Sequence, residues 1–154
     1  MKKDAVISSD EKYRYALWRT WDSNLPRLMF VCLNPSTADA TKDDPTLRRC
    51  IGFAREWGFG SVCIGNLFAY RTPNPSDLKG AKNPVGNKND LWLSKLFSES
   101  DTVIAAWGNN GSYLSRDKEV MGSLKKLYCL SKTKSNAPKH PLYVRASQKY
   151  SIYK

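Results

Sequence analysis

Short apolar runs alternate repeatedly with longer segments of helical spacing along this chain. Four such runs follow one another along the chain, at residues 27–33, 61–68, 102–107 and 128–130. A short run that stays apolar at successive positions is typical of a strand buried on both faces of a parallel sheet. Because helical segments separate these runs, the sequence predicts an α/β fold with helices covering the sheet.

The first predicted helix has a well-defined start and end. Asp44 is a suitable N-cap, Pro45 suits the first helical position, and Gly58 follows the last residue with helical spacing. A second helix is predicted at about residues 88–97, and a third through the sequence "NNGS" to about Leu127.

The N-terminal region differs because its pattern is that of a hairpin. Residues 5–8 and 13–21 flank the polar sequence "SDEK", and apolar and polar positions alternate in the second run. The whole pattern predicts a three-layer α/β/α sandwich with a four-stranded parallel central sheet plus an N-terminal β-hairpin. A chain of 154 residues fits a single domain over residues 1–154.

The charge balance points to an anionic partner. Lys and Arg number 25 against 14 Asp and Glu, a net charge of +11. The excess is concentrated between Arg116 and Lys154, where ten basic residues accompany only Asp117 and Glu119. No basic helix has a clean apolar face, so nucleic acid is the expected partner and a membrane is not. A highly solvated surface is the alternative explanation.

The four cysteines show no metal-ligand spacing. Cys32, Cys50, Cys63 and Cys129 form no C-x-x-C pair, and three lie in apolar runs, which predicts small buried side chains in a reducing compartment. We expect neither a metal nor an organic cofactor.

The N-terminal sequence has no apolar stretch of signal-peptide length, so we expect a cytoplasmic protein. The sequence does not indicate an oligomeric state.

Polar residues gather directly after the first apolar run. Asn34, Ser36 and Thr37 form a turn-like sequence, and Asp39, Asp43 and Asp44 precede the pair Arg48–Arg49. Carboxyl ends of parallel strands meet at one edge of a sheet, where ligands usually bind. Of these acids, Asp44 is explained as the N-cap of the first predicted helix. The arginines suit either salt bridges to these acids or phosphate near the helix N-terminus.

The later strands end in polar groups as well. Asn66 interrupts an apolar strand, and its amide suits the edge of a nucleobase or a structural hydrogen bond. Arg71 is a candidate phosphate ligand. Trp107 is expected to pack and Gly108 to allow close approach of a ligand. His140, the single histidine, lies in a basic loop and suits a catalytic or anion-stabilising role.

Several long motifs occur in an order that resembles the family of domain of unknown function 1643 in bacteria and phages. They are "YRYALWRTWD", "LNPSTAD", "DDPTLRRCIGFAREWGFG", "NLFAYRTP", "PVG", "AAWG" and "KHPLYV". This resemblance covers almost the whole chain, but it does not itself imply an activity.

A more distant resemblance does imply one. The series "LNPS", "GNLFAYR", "VIAAWG" and "KHPLY" is similar to the ordered motifs of the uracil-DNA glycosylase superfamily. That resemblance implies a four-stranded parallel sheet between helices, with the site at the strand ends. It implies that Asn34 orients a water, Asn66 reads the base and His140 binds the negative charge of the departing base.

The chain departs from that pattern at one important position. Asn34 stands where an acid is expected to activate the water, and an amide holds a water without taking its proton. The remaining substrate-binding surface is expected to contain a further set of residues: Ser36, Thr37, Asp39, Asp44, Arg48, Arg49, Arg71, Trp107, Gly108 and Tyr143.

The predicted function is recognition of a flipped or modified nucleobase in nucleic acid, with DNA favoured over RNA. If the protein is an enzyme, the predicted activity is that of a DNA glycosylase, which hydrolyses an N-glycosidic bond. One alternative is a nonenzymatic nucleic-acid-binding module. Another is a hydrolase or transferase that acts on a free nucleotide, with the acids holding Mg²⁺ and Arg48–Arg49 holding phosphate.

Overall fold

A single mixed sheet of seven strands organises the molecule, in a computed structural model that describes residues 1–154. The strands are β1 (Lys2–Ile7), β2 (Arg14–Thr20), β3 (Arg27–Cys32), β4 (Ser61–Asn66), β5 (Thr102–Ala105), β6 (Tyr128–Cys129) and β7 (Ser151–Ile152). Their order in the sheet is β1-β2-β4-β3-β5-β6-β7.

The predicted parallel core is confirmed, but the sheet is wider than expected. Strands β4, β3, β5 and β6 lie side by side in that order and run parallel to one another. The predicted hairpin, β1 and β2, joins this core because β2 pairs antiparallel with β4. Strand β7 extends the opposite edge by pairing antiparallel with β6. The four-stranded sheet is therefore corrected to a seven-stranded mixed one, since both ends of the chain pair with the core edges.

Helices cover both faces of this sheet. They are α1 (Pro45–Glu56), α2 (Asn89–Ser98) and α3 (Arg116–Met121). Helix α1 packs on Leu28 and Phe30 of β3, while α2 and α3 pack on the other face, against Met29 and Val31. The continuously apolar run of β3 is explained by this arrangement, because successive side chains enter opposite cores.

The ends of α1 are as predicted. Asp44 Oδ1 accepts a hydrogen bond from the backbone N–H of Leu47 at 2.9 Å, and Pro45 occupies the first turn. After the helix, Gly58 has a φ of 83°, a left-handed conformation that suits glycine.

The long third helix predicted to reach Leu127 is wrong. A 3₁₀ segment, Asn109–Ser115, leads into the short α3, and Leu114 and Ser115 have positive φ values of 56° and 54°. This left-handed pair interrupts the helical path. Gly111 packs directly against the Trp107 ring, which leaves no space for a side chain there.

A bulge in β2 determines which side chains face the loop after β3. Val6 lies opposite Ala16, but Ile7 lies opposite Arg14, so Tyr15 is an extra residue on β2. Ala16 therefore packs in the core with α2, whereas Arg14 reaches toward Ala38, which packs in the core with α1.

The four cysteines are free and buried, as predicted. None of the helices combines the length and the apolar character needed to cross a membrane.

Candidate functional site

A cleft of about 560 Å³ lies where the parallel strands end. Its walls come from the ends of β3 and β4, the first turn of α1 and the loops that follow β5 and β6. A cleft of this size at the carboxyl ends of parallel strands has the position and volume typical of a small-ligand site.

The cleft gathers eight of the predicted site residues: Asn34, Ser36, Asp44, Asn66, Trp107, Gly108, His140 and Tyr143. Asn34 and His140 lie in the loops after β3 and β6, and Asn66 is the last residue of β4, so their meeting is a product of the sheet topology. Five predicted residues do not line it: Thr37, Asp39, Arg48, Arg49 and Arg71.

Asn66 has an unsatisfied side-chain amide. It is the last residue of β4 and is 1% exposed, yet neither Oδ1 nor Nδ2 has a hydrogen-bond partner in the protein. Its backbone carbonyl is held by Asn89 Nδ2 at 2.9 Å. Buried polar atoms are nearly always paired, so a free donor and acceptor at a cleft indicate a group reserved for a ligand.

Asn34 presents its oxygen and not its nitrogen. Its Nδ2 donates to the carbonyl oxygens of Thr72 at 2.9 Å and Pro35 at 3.1 Å. Because both partners are carbonyls, the orientation of the amide is determined, and Oδ1 is the atom left to accept a hydrogen bond.

His140 is arranged as a neutral donor. Its Nδ1 accepts a hydrogen bond from the backbone N–H of Leu142 at 3.2 Å, which places the proton of the neutral ring on Nε2. Burial lowers the pKa of His140 below its usual 6.5, although the nearby Asp44 acts in the opposite direction. At neutral pH the ring therefore lines the cleft as an uncharged imidazole with an available Nε2–H.

Two aromatic residues occupy different depths of the site. Trp107 is 3% exposed and packs edge-on against Tyr153, so it is a wall, as expected. Tyr143 is 79% exposed and its ring centroid lies 5.7 Å from that of His140.

Gly108 has a φ of 70° and donates its N–H to the Pro138 carbonyl, which brings the loop after β6 against the end of β5.

The acids of the loop after β3 are engaged in holding that loop. Asp44 Oδ1 caps α1 and its Oδ2 accepts the N–H of Ala38 at 3.3 Å. Asp43 pairs with the buried Arg19 at 2.9 Å. Asp39 accepts the N–H groups of Thr41 and Lys42, and these hydrogen bonds lower its pKa. No three His, Cys, Asp or Glu side chains are grouped so that they could hold a metal ion.

The predicted arginine ligands face elsewhere. Arg48 is exposed and donates to the Asp43 carbonyl, and Arg49 donates to the Val144 carbonyl at 3.0 Å, which ties α1 to the segment after His140. Arg71 donates to the Glu11 carbonyl at 3.1 Å in the hairpin turn. None of the three lines the cleft, although Arg71 also has a buried Nε without a hydrogen-bond partner.

Arg14 is the main cleft residue that the sequence did not reveal. It is 4% exposed, lines the cleft, donates from Nη1 to the Ala38 carbonyl at 3.0 Å and has no partner for Nε. Burial lowers the pKa of Arg14 to about 10, so it remains charged at neutral pH. The sequence signal that could have identified Arg14 is its position between Tyr13 and Tyr15 in a predicted strand.

The sequence analysis also missed several other polar residues that line the cleft: Thr46, Thr72, Asn109, Asn110, Thr133 and Lys139.

Cys32 also lines the cleft but is not an activated nucleophile. Burial raises the pKa of its thiol to about 12, although Arg14 acts in the opposite direction. The thiol therefore stays protonated near neutral pH.

Comparison with known proteins identifies the family. Residues 14–142 match the family described as "Protein of unknown function (DUF1643)", and the chain belongs to it. No curated protein matches the chain. No solved structure matches it either. The resemblance to the uracil-DNA glycosylase superfamily consequently stays a prediction.

Proposed function

We propose that the cleft binds a nucleobase turned out of a DNA strand and that the protein hydrolyses the N-glycosidic bond of that nucleotide. The observation that carries this proposal is Asn66, whose buried Oδ1 and Nδ2 are both unpaired at the cleft. An amide with one free donor and one free acceptor is complementary to the edge of a base, which also offers a donor and an acceptor.

The chemistry follows from three groups on the cleft wall. Loss of the base leaves an oxocarbenium-like sugar and a negatively charged base. His140, with Nε2–H available, donates to the charge that develops on the base. Asn34 Oδ1 accepts a hydrogen bond from a water and places it beside the sugar, where positioning rather than deprotonation by the protein assists attack. The water oxygen bonds to the sugar carbon as the glycosidic bond breaks, and the departing base anion takes up the proton that the water loses.

The surroundings of the cleft suit a nucleic acid strand. Lys139 lines the cleft, and Lys134, Arg145 and Lys149 are exposed in the same C-terminal segment. Such a surface neutralises phosphates, which makes binding dependent on salt. Exposed Tyr143 at the rim is suited to stacking on a neighbouring base.

The test is incubation with single- and double-stranded oligonucleotides that carry uracil, mismatched or hypermodified pyrimidines, followed by alkaline cleavage at abasic sites. We expect cleavage of at least one substrate and a loss of about 100-fold or more in His140→Ala, since one donor to a developing anion is worth that much. The control is Lys95→Ala, which removes an exposed charge on α2, away from the cleft. Absence of both cleavage and binding across the panel would overturn the proposal.

One observation favours a second candidate, a module that recognises the base without hydrolysis. Asp44 is the single carboxylate on the cleft wall, and both its oxygens accept backbone N–H groups. No general base is therefore free. This candidate predicts salt-sensitive binding without abasic sites and an Asn34→Ala variant that binds as tightly as the original protein. Cleavage that depends on Asn34 would exclude it.

A further inference from the structure

Three arginine side chains are buried in this protein, and only one lacks an acidic partner. Arg19 pairs with Asp43 at 2.9 Å, and Arg116 pairs with Asp90 at 2.5 Å and with Glu119. Arg14 forms no salt bridge. Asp44 is near enough to act against the lowering of the Arg14 pKa but accepts no hydrogen bond from Arg14. A buried cation without a paired counter-ion is unfavourable, so the presence of Arg14 at a cleft calls for an explanation.

The guanidinium of Arg14 is also short of hydrogen-bond acceptors. Nη1 donates to the Ala38 carbonyl, Nε is buried without a partner, and Nη2 makes no hydrogen bond within the protein. By contrast, Arg19 uses all three nitrogens, on Asp43 and on four backbone carbonyls. The unused donors of Arg14 form a fork of the kind that binds carboxylate or phosphate oxygens.

The rest of the local electrostatics is favourable to an anion. The first turn of α1 lines the same cleft through Asp44, Thr46 and Leu47, and helix N-termini attract negative charge. Asp44 opposes this attraction, but its oxygens are engaged by the N–H groups of Leu47 and Ala38. Lys139 adds a second cation on the cleft wall.

We propose that Arg14 is an anion-binding residue of the cleft and that the ligand carries a negatively charged oxygen group. This identification of the ligand class rests on the proposed function, since Asn66 holds the base while Arg14 holds the anion. Two sources have the same chemistry: a phosphate of the bound nucleotide, or an acidic substituent on a modified base.

The experiment compares the dissociation constants of neutral and anionic ligands at constant ionic strength by calorimetry. The probes are the four deoxynucleosides, their 5′-monophosphates, 5-carboxy-2′-deoxycytidine and sodium phosphate. We expect at least one anionic probe to bind about tenfold or more tightly than its neutral counterpart. Preference for a monophosphate identifies the phosphate as the source, and preference for the carboxylated nucleoside identifies the base.

The matched variants are Arg14→Gln and Lys42→Gln, which remove the same charge. We expect Arg14→Gln to abolish the preference for the anion and Lys42→Gln, an exposed loop residue, to keep it. An Arg14→Lys variant retains the charge but not the fork, so we expect it to keep only part of the preference for the anion. As a readout that needs no variant, the Arg14 Nε–H resonance in the ¹⁵N spectrum should shift with the anionic probe and not with the neutral one.

The two proposals fail in different ways. Equal affinity for neutral and anionic probes, or a preference that survives in Arg14→Gln, overturns the role of Arg14 and leaves the nucleobase proposal intact. Binding of phosphate that depends on Arg14, with no contribution from any base, supports the anion site and overturns the nucleobase proposal.

Discussion

The buried polar side chains behind the cleft differ from those that line it. Arg19, on β2, pairs with Asp43 and with the carbonyls of Asp39 and Lys42, so it holds the loop after β3 against the hairpin. Arg14, five residues earlier on the same strand, donates a single hydrogen bond. The difference indicates that Arg19 stabilises the fold, whereas the free donors of Arg14 agree with the anion-binding role that we propose for it.

Two buried asparagines repeat this contrast. Asn89 donates from Nδ2 to the carbonyls of Asn66 and Leu67 at 2.9 and 3.1 Å, which holds the end of β4, although its Oδ1 is unpaired. Asn66 makes no side-chain hydrogen bond at all. One asparagine positions the strand end, and the other projects from it into the cleft.

The two arginines provide the largest test of this contrast. Arg19→Met removes a buried partner of Asp43 and leaves several carbonyls unpaired, so we expect the free energy of unfolding to fall by about 3 kcal/mol. Arg14→Met loses one hydrogen bond but relieves an unpaired buried charge, so we expect a change within about 1 kcal/mol. Urea titration of both variants measures the two values. Equal destabilisation would assign Arg14 to the scaffold.

The asparagines should show a smaller difference. Asn89→Leu removes two hydrogen bonds to buried carbonyls, so we expect a loss of about 2 kcal/mol in unfolding free energy. Asn66→Leu replaces an unpaired amide with an apolar side chain, so we expect unchanged or slightly higher stability together with at least tenfold weaker binding of ligand. Thermal unfolding and calorimetric binding separate these outcomes. Destabilisation of Asn66→Leu to the level of Asn89→Leu contradicts the comparison.

The third prediction concerns pH and has the smallest expected effect. Because the pKa of His140 is lowered from 6.5, the native state favours the neutral ring. The stability that His140 contributes is present above pH 6.5 and is lost as the pH falls through its lowered pKa. Activity that needs the neutral ring should fall in the same range, below the usual pKa of histidine.

The control for this effect is His140→Gln, which keeps a donor but cannot titrate. We expect its ligand binding and stability to vary less between pH 7 and pH 5 than those of the original protein, by calorimetry and thermal unfolding. An identical pH profile in both proteins would show that another group titrates.

Local pattern was sufficient where neighbouring residues determine the conformation. The apolar run of β3 predicts burial on both faces, and Asp44 with Pro45 predicts the start of α1, since a cap is a contact between residues three positions apart. The order of polar residues after the strands also predicted that Asn34, Asn66 and His140 would meet, because parallel strands bring their carboxyl ends together.

Residues whose role depends on distant partners were not predictable in this way. The sequence "RR" suggested a phosphate site, but Arg49 reaches the Val144 carbonyl, a partner 95 residues away. The third helix failed because Gly111 must fit beneath Trp107 and the chain then turns through Leu114 and Ser115. Both outcomes depend on contacts between distant residues, which local propensities do not predict.

Patterns of adjacent residues were enough to predict the α/β class, the parallel core, the N-terminal hairpin and the loops that build the cleft, because periodicity and capping are local properties. Which polar groups remain unpaired depends instead on the tertiary structure. The bulge at Tyr15 turns Arg14 toward the loop after β3, and the partners of Asp39 and Asp43 keep those two acids off the cleft wall. Asp44 lines the cleft, but both its carboxylate oxygens accept backbone N–H groups. Whether a buried polar atom is paired depends on atoms far along the chain, and only the folded molecule brings them together.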